Sequence, residues 1–130
     1  MTIIVNPEKR FRYVAAADRD LPDGDPNKPV FLLKPPTGKD ADEIFYEAME
    51  IGLHKATDED LSNLDAGSKY AKVLLRCAAK GVAGWENLYD QDLEPISPDL
   101  VVGVLGFPLR MELGGEVYRM LMIGPEEAKN

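Results

Sequence analysis

The chain is poor in the residues that carry out most protein chemistry. Of its 130 residues, one is cysteine and one is histidine. A lone Cys77 excludes an internal disulfide and any cysteine-rich zinc site. A lone His54 leaves nucleophilic catalysis only the pairing of that imidazole with Cys77 or a serine. Cys77 falls at an apolar helical position beside Val73 and Leu74, where a small buried thiol is the ordinary case. Positive charge is also scarce, with 15 Lys and Arg against 23 Asp and Glu, a net charge of −8. Such a chain is unsuited to neutralising duplex phosphates and equally unsuited to an anionic membrane surface. No apolar run reaches the length of a bilayer-spanning helix, and Ile3-Ile4-Val5 is too short for the core of a secretory signal. These absences predict a soluble cytoplasmic protein that is not an enzyme, holds no metal or cofactor, and binds neither nucleic acid nor membrane.

What is present suffices for one packed domain over residues 1–130, with 45% apolar and 29% charged residues. Ile3-Ile4-Val5 and Phe11-Arg12-Tyr13-Val14 read as strands, and Pro29–Lys34 as a strand returning beside the second. The polar stretch 18–27 contains Pro22, Gly24 and Pro26 and reads as a loop. Residues 1–36 therefore form a β-hairpin region, residues 37–123 a helical region, and residues 124–130 a frayed tail. Thr37 with Asp40, and Thr57 with Asp60, have the spacing of capping boxes. Behind the first, Ala41, Ile44, Phe45, Ala48 and Ile51 recur at helical spacing, and Gly52 closes the helix. A third helix starts near Ser68, places Tyr70, Val73, Leu74, Cys77 and Ala78 on one side, and stops at Gly81 and Gly84. Ser97-Pro98 is a further helix entry, and Pro108 precedes a last helix reaching about residue 122. The predicted class is α+β, an N-terminal β-hairpin followed by a mainly helical bundle.

Candidate chemistry is thin. Thr37-Gly38-Lys39-Asp40 follows a strand as a phosphate-binding loop does, but Leu33 stands where that loop needs glycine and Asp40 where it needs Ser or Thr. Asp18, Asp20, Asp23, Asp25 and Asn27 offer oxygens for calcium, yet Leu21-Pro22 breaks the alternation and Pro29 replaces the last ligand. Trp85, between Gly84 and Glu86, reads either as a core anchor for a turn or as an anchor for a partner. The last helix has two apolar stripes, Leu109/Leu113/Val117/Leu121 and Met111/Gly115/Tyr118/Met122. A helix apolar on two sides is buried on both, within the domain or against another chain, so a homo-oligomer stays open. Gly114-Gly115 costs about 1 kcal/mol per glycine in a helix interior, offset by close approach of another element or marking a break.

The order of parts between residues 70 and 100 is distinctive. An apolar helix (Tyr70-Ala-Lys-Val73-Leu74-Leu75-Arg-Cys77) runs into Gly81-Val82-Ala83-Gly84-Trp85-Glu86-Asn87-Leu88. The acidic stretch Tyr89-Asp90-Gln91-Asp92-Leu93-Glu94-Pro95 follows, then Ser97-Pro98-Asp99-Leu100. This succession resembles the small tail assembly chaperones of long-tailed bacteriophages and prophages, over roughly the second half of the chain. It departs from them at Leu93, near which the family has a glycine. The resemblance implies a non-enzymatic protein of the infected cell. It would bind the tape measure protein and tail tube subunits during tail assembly and be absent from the mature virion. Under that reading the contact residues are expected to be Met111, Tyr118 and Met122, then Trp85. A structural virion component (tail-tube, tail-completion or head–tail joining protein) is the alternative, and an acidic DNA-mimic inhibitor ranks below it.

Overall fold

A computed structural model describes residues 9–62, 68–89 and 105–123. Ile3–Val5, the acidic residues 90–95, the helix entry at Ser97-Pro98 and the tail 124–130 lie outside the described residues.

Strand β1 (Phe11–Tyr13) and strand β2 (Val30–Leu33) pair antiparallel, with Phe11 opposite Leu33 and Tyr13 opposite Phe31. This is the expected N-terminal hairpin, and the chain is α+β. Its long connection carries a single 3-10 turn, Ala16–Asp18. Helix α1 (Gly38–Ile51) is followed by a second 3-10 turn, Leu53–Lys55, the short helix α2 (Asp58–Ser62), and helix α3 (Lys69–Gly81). The last described element is helix α4 (Phe107–Ile123).

One element departs from expectation. The residues after α3 were predicted to form a Gly-Trp turn within the helical region; they form strand β3 (Val82–Glu86). It pairs antiparallel with β2, so β2 is central in the order β1-β2-β3. No loop separates α3 from β3, since the helix ends at Gly81 and the strand begins at Val82. The pairing skips Ala83, with Leu32 opposite Gly84 and Leu33 opposite Val82, so the irregularity falls at the helix end of β3. The register builds two cross-strand rows, Tyr13–Phe31–Trp85 and Phe11–Leu33–Val82. Neighbours in such rows share a sheet face and pack on one another. Phe31 and Leu33 are fully buried, so this face meets the helices.

The helical layer is joined by glycine. A Cβ on Gly114 would lie 2.7 Å from the carbonyl carbon of Leu74, and nearer still to its oxygen. The backbones of α3 and α4 therefore touch there, and only glycine permits it. Gly81 lies against both methyls of Val117 in the same way. Gly115, by contrast, faces open space. Of the two explanations for the glycine pair, close approach holds for Gly114, and the helix runs through both without a break. Around this contact Val73, Leu74, Cys77, Leu113, Val117 and Met120 are buried, joined by Ile44 and Ala48 from α1.

Helix ends follow the predicted chemistry in three places and not in a fourth. Asp60 Oδ2 accepts from Thr57 N–H at 2.9 Å, and Thr57 Oγ1 accepts from Asp60 N–H at 3.2 Å, a complete capping box. Ser68 Oγ accepts from Tyr70 N–H at 3.2 Å. Thr37 occupies the N-cap of α1 but its side chain makes no cap bond. Its expected partner Asp40 is instead 3.7 Å from Lys80 Nζ on α3. Gly52 takes the left-handed conformation that closes α1, φ +77°, donating to the carbonyls of Ala48 and Met49.

Candidate functional site

The four side chains predicted as partner contacts occupy two elements. Met111, Tyr118 and Met122 share one face of α4, all half-buried, with Met111 and Tyr118 packed on the core. The Tyr118 hydroxyl is buried without a hydrogen-bond partner among the described residues. Its burial, and the neighbouring Cys77, raise its pKa. Trp85 stands on β3, half-buried, its ring edge-on to Phe31 with centroids 6.4 Å apart at 83°. The structure brings the three α4 residues onto one face and carries Trp85 on the sheet.

The chemically suggestive residues are occupied locally. Cys77 is fully buried, and burial pushes its thiol up to about 12. At neutral pH it is a protonated thiol, which is neither nucleophile nor ligand. His54 is exposed in the turn after α1. In the phosphate-loop look-alike, Lys39 lies 3.8 Å from Glu43 and Asp40 pairs with Lys80. In the acidic loop, Asp23 Oδ1 lies 2.7 Å from Lys28 Nζ, and that hydrogen bond holds its carboxyl below the usual range. Asp25 Oδ1 accepts from Asn27 N–H at 2.8 Å, a turn-forming bond. No group of three or more His, Cys, Asp or Glu is placed to hold a metal ion among the described residues.

Comparisons with protein-family models, curated proteins and solved structures find no match.

Two features escaped the sequence reading. A polar cavity of about 390 Å³ lies between the hairpin connection and the end of β3. Arg12 there pairs with Glu86, and Lys28, almost wholly buried, with Asp23. Asn87, at φ +61°, donates its side-chain amide to the Lys28 carbonyl at 3.1 Å. Asp23 and Lys28 are close in the sequence, but Glu86 and Asn87 reach the cluster from a distant part of it, so no local pattern marks the whole. The second feature is the outer face of α1. Phe45, assigned from its spacing to the buried face, is 41% exposed, and Tyr46 is 70% exposed. The two rings pack edge-to-face at 5.8 Å. Beside them an open groove of about 760 Å³ runs between α1 and α3, lined by Tyr46, Ile51, Glu43, Glu47, Glu50 and Arg76 among others. The adjacent aromatics were the available signal, because no single helical face buries both i and i+1 fully.

No helix among the described residues is long and apolar enough to cross a membrane.

Proposed function

We propose that this chain is a non-catalytic protein-binding domain that serves as a tail assembly chaperone of a long-tailed bacteriophage or prophage. In this role it binds the tape measure protein and tail tube subunits in the cytoplasm of the infected or lysogenic cell, and it leaves before the virion matures. The observation that carries the binding role is the contrast between a buried thiol and a pair of exposed aromatic side chains. The sole thiol is buried and protonated, while Phe45 and Tyr46 stand in solvent on an acidic helix. An acidic, soluble domain with exposed aromatic anchors suits transient capture of an amphipathic client. The choice of client rests on the order helix, Gly-Trp, acidic stretch and Ser-Pro between residues 70 and 100. The half-buried Met and Tyr face of α4 offers adaptable side chains to the same client.

The test starts with the gene's surroundings and ends with protein. The reading expects a very long frame of helical character downstream. Co-expression is expected to keep that product soluble and co-eluting with this chain, and purified particles are expected to lack the chain. Stoichiometric presence in particles would favour a structural virion component. Absence of any such neighbour would remove the tail reading and leave only a binding domain.

A further inference from the structure

The charges of the two longest packed neighbours in the middle of the chain are segregated. Helix α1 carries Asp40, Asp42, Glu43, Glu47 and Glu50 against a single Lys39. Helix α3 carries Lys69, Lys72, Arg76 and Lys80 and no acid. Where the helices meet, this asymmetry is consumed by the ion pairs Arg76–Glu47 and Lys80–Asp40. On the exposed side of α1, Asp42 and Glu50 make no ion pair among the described residues, although Glu50 and Tyr46 also line the groove toward α3, whose other wall carries Lys69 and Arg76. They sit four residues either side of Tyr46, on one line along the helix, with Phe45 next to it. The surface is thus two exposed aromatic rings bracketed by unneutralised carboxylates.

We propose that this outer face of α1 docks a basic amphipathic helix of a partner protein. Phe45 and Tyr46 receive its apolar side chains and the stems of its Lys or Arg, and Asp42 and Glu50 receive the cationic heads. Aromatic rings next to carboxylates are doubly favourable to cations, through the ring face and through charge. An α1-to-α1 pairing of two copies is disfavoured, because it would bring like charges against Asp42 and Glu50, and on α3 Arg76 and Lys80 are already engaged by Glu47 and Asp40 of the same chain. The 14 residues of α1 span about 21 Å, enough to seat about four turns of a partner helix. The proposal identifies a surface and its ligand chemistry and does not depend on the tail reading.

The probe is a fluorescent synthetic helix of about 18 residues with Leu on one face and Lys on the other. Its binding to the full chain is read by polarisation at several salt concentrations. Two comparison peptides carry Glu in place of every Lys, or the same Lys and Leu in scrambled order. The Lys/Leu helix is expected to bind at least about tenfold more tightly than either comparison peptide. The double variant Phe45→Ser/Tyr46→Ser is expected to weaken it about tenfold or more. Asp42→Lys/Glu50→Lys is expected to do the same and to flatten the salt dependence. Ile123→Ser, which alters an exposed apolar residue at the far end of α4, is expected to leave binding unchanged. Equal binding of the scrambled peptide, or α1 variants that bind like the parent chain, would overturn the proposal. So would a concentration-dependent dimer that Phe45→Ser/Tyr46→Ser dissolves, since the occupant would then be a second copy. The charge variant changes only exposed polar positions, so it reads the surface even where the aromatic variant folds poorly.

Discussion

Replacing Gly114 with alanine is expected to destabilise the protein although alanine is the better helix former. Propensity alone favours the change by about 1 kcal/mol in a helix interior. Against this, the new methyl would lie 2.7 Å from the Leu74 carbonyl carbon and closer to its oxygen. The obstacle is backbone in the middle of α3, so no rotamer change relieves it, and α4 must lift by at least about 1 Å. Overpacking of this kind costs about 1–3 kcal/mol and more where the neighbour is rigid. Lifting α4 also loosens the contacts of Leu113 and Val117, both fully buried. The net loss is about 3 kcal/mol, which for a domain of this size lowers Tm by about 10 °C. Gly115→Ala, one residue on, meets nothing within 4 Å and gains the propensity, about 0.5–1 kcal/mol. Urea unfolding followed by far-UV circular dichroism, with Trp85 fluorescence as a second probe on β3, separates the two variants. Gly114→Ala as stable as the parent chain, or less damaging than Gly115→Ala, would refute the backbone contact between α3 and α4.

Gly81→Ala is expected to cost about 1–3 kcal/mol, part of which Val117→Ala restores in the double variant, because the clash is with the Val117 methyls; additive losses in a double-mutant cycle would contradict this. Cys77 is expected to resist thiol reagents at mildly alkaline pH until the chain unfolds, and fast labelling of the native protein would show the site to be open. Its folded pKa of about 12 lies above the ordinary 9.0, so its contribution is intact below pH 9 and declines as pH rises from about 9 to 12, where only the unfolded chain releases the proton. Burial of Tyr118 and Tyr13, the latter also bonded to Glu112, acts in the same direction, so the urea midpoint is expected to fall steadily over that alkaline range. Thr57→Ala is expected to cost about 1 kcal/mol in the stability of the α2 segment, and Thr37→Ala close to nothing, because only the first hydroxyl caps; hydrogen exchange of the two helix starts distinguishes them.

Much of the scaffold was legible in order and type. Phe11–Tyr13 and Val30–Leu33 announce strands by β-branched and aromatic residues, and Gly52 and Ser68 mark helix ends by their conformational and hydrogen-bonding needs. The burial expected of Cys77 followed from its apolar spacing, and the side chain is buried. The candidate contacts Met111, Tyr118 and Met122 were correctly grouped on one face, since that follows from helical periodicity alone. Their half-burial did not, because it depends on what lies across from the helix.

Local chemistry thus determined where the helices and the two hairpin strands begin, which side chains share a face, and that α1 is acidic while α3 is basic. Tertiary structure decided the rest. Val82–Glu86 is short and holds a glycine, so by itself it reads as a turn; it becomes a strand because the free edge of β2 supplies its hydrogen bonds. Gly114 and Gly115 are identical in sequence terms and opposite in role, because only one of them faces α3. Thr37 loses its capping partner because Asp40 finds a cation on α3 that a local pattern does not reveal. Phe45 belongs to the apolar arc of α1, but the covering elements bury only Ile44 and Ala48 of that helix. The exposed aromatic surface exists because helical period sets which residues are neighbours, whereas the packing of distant segments sets which neighbours are covered.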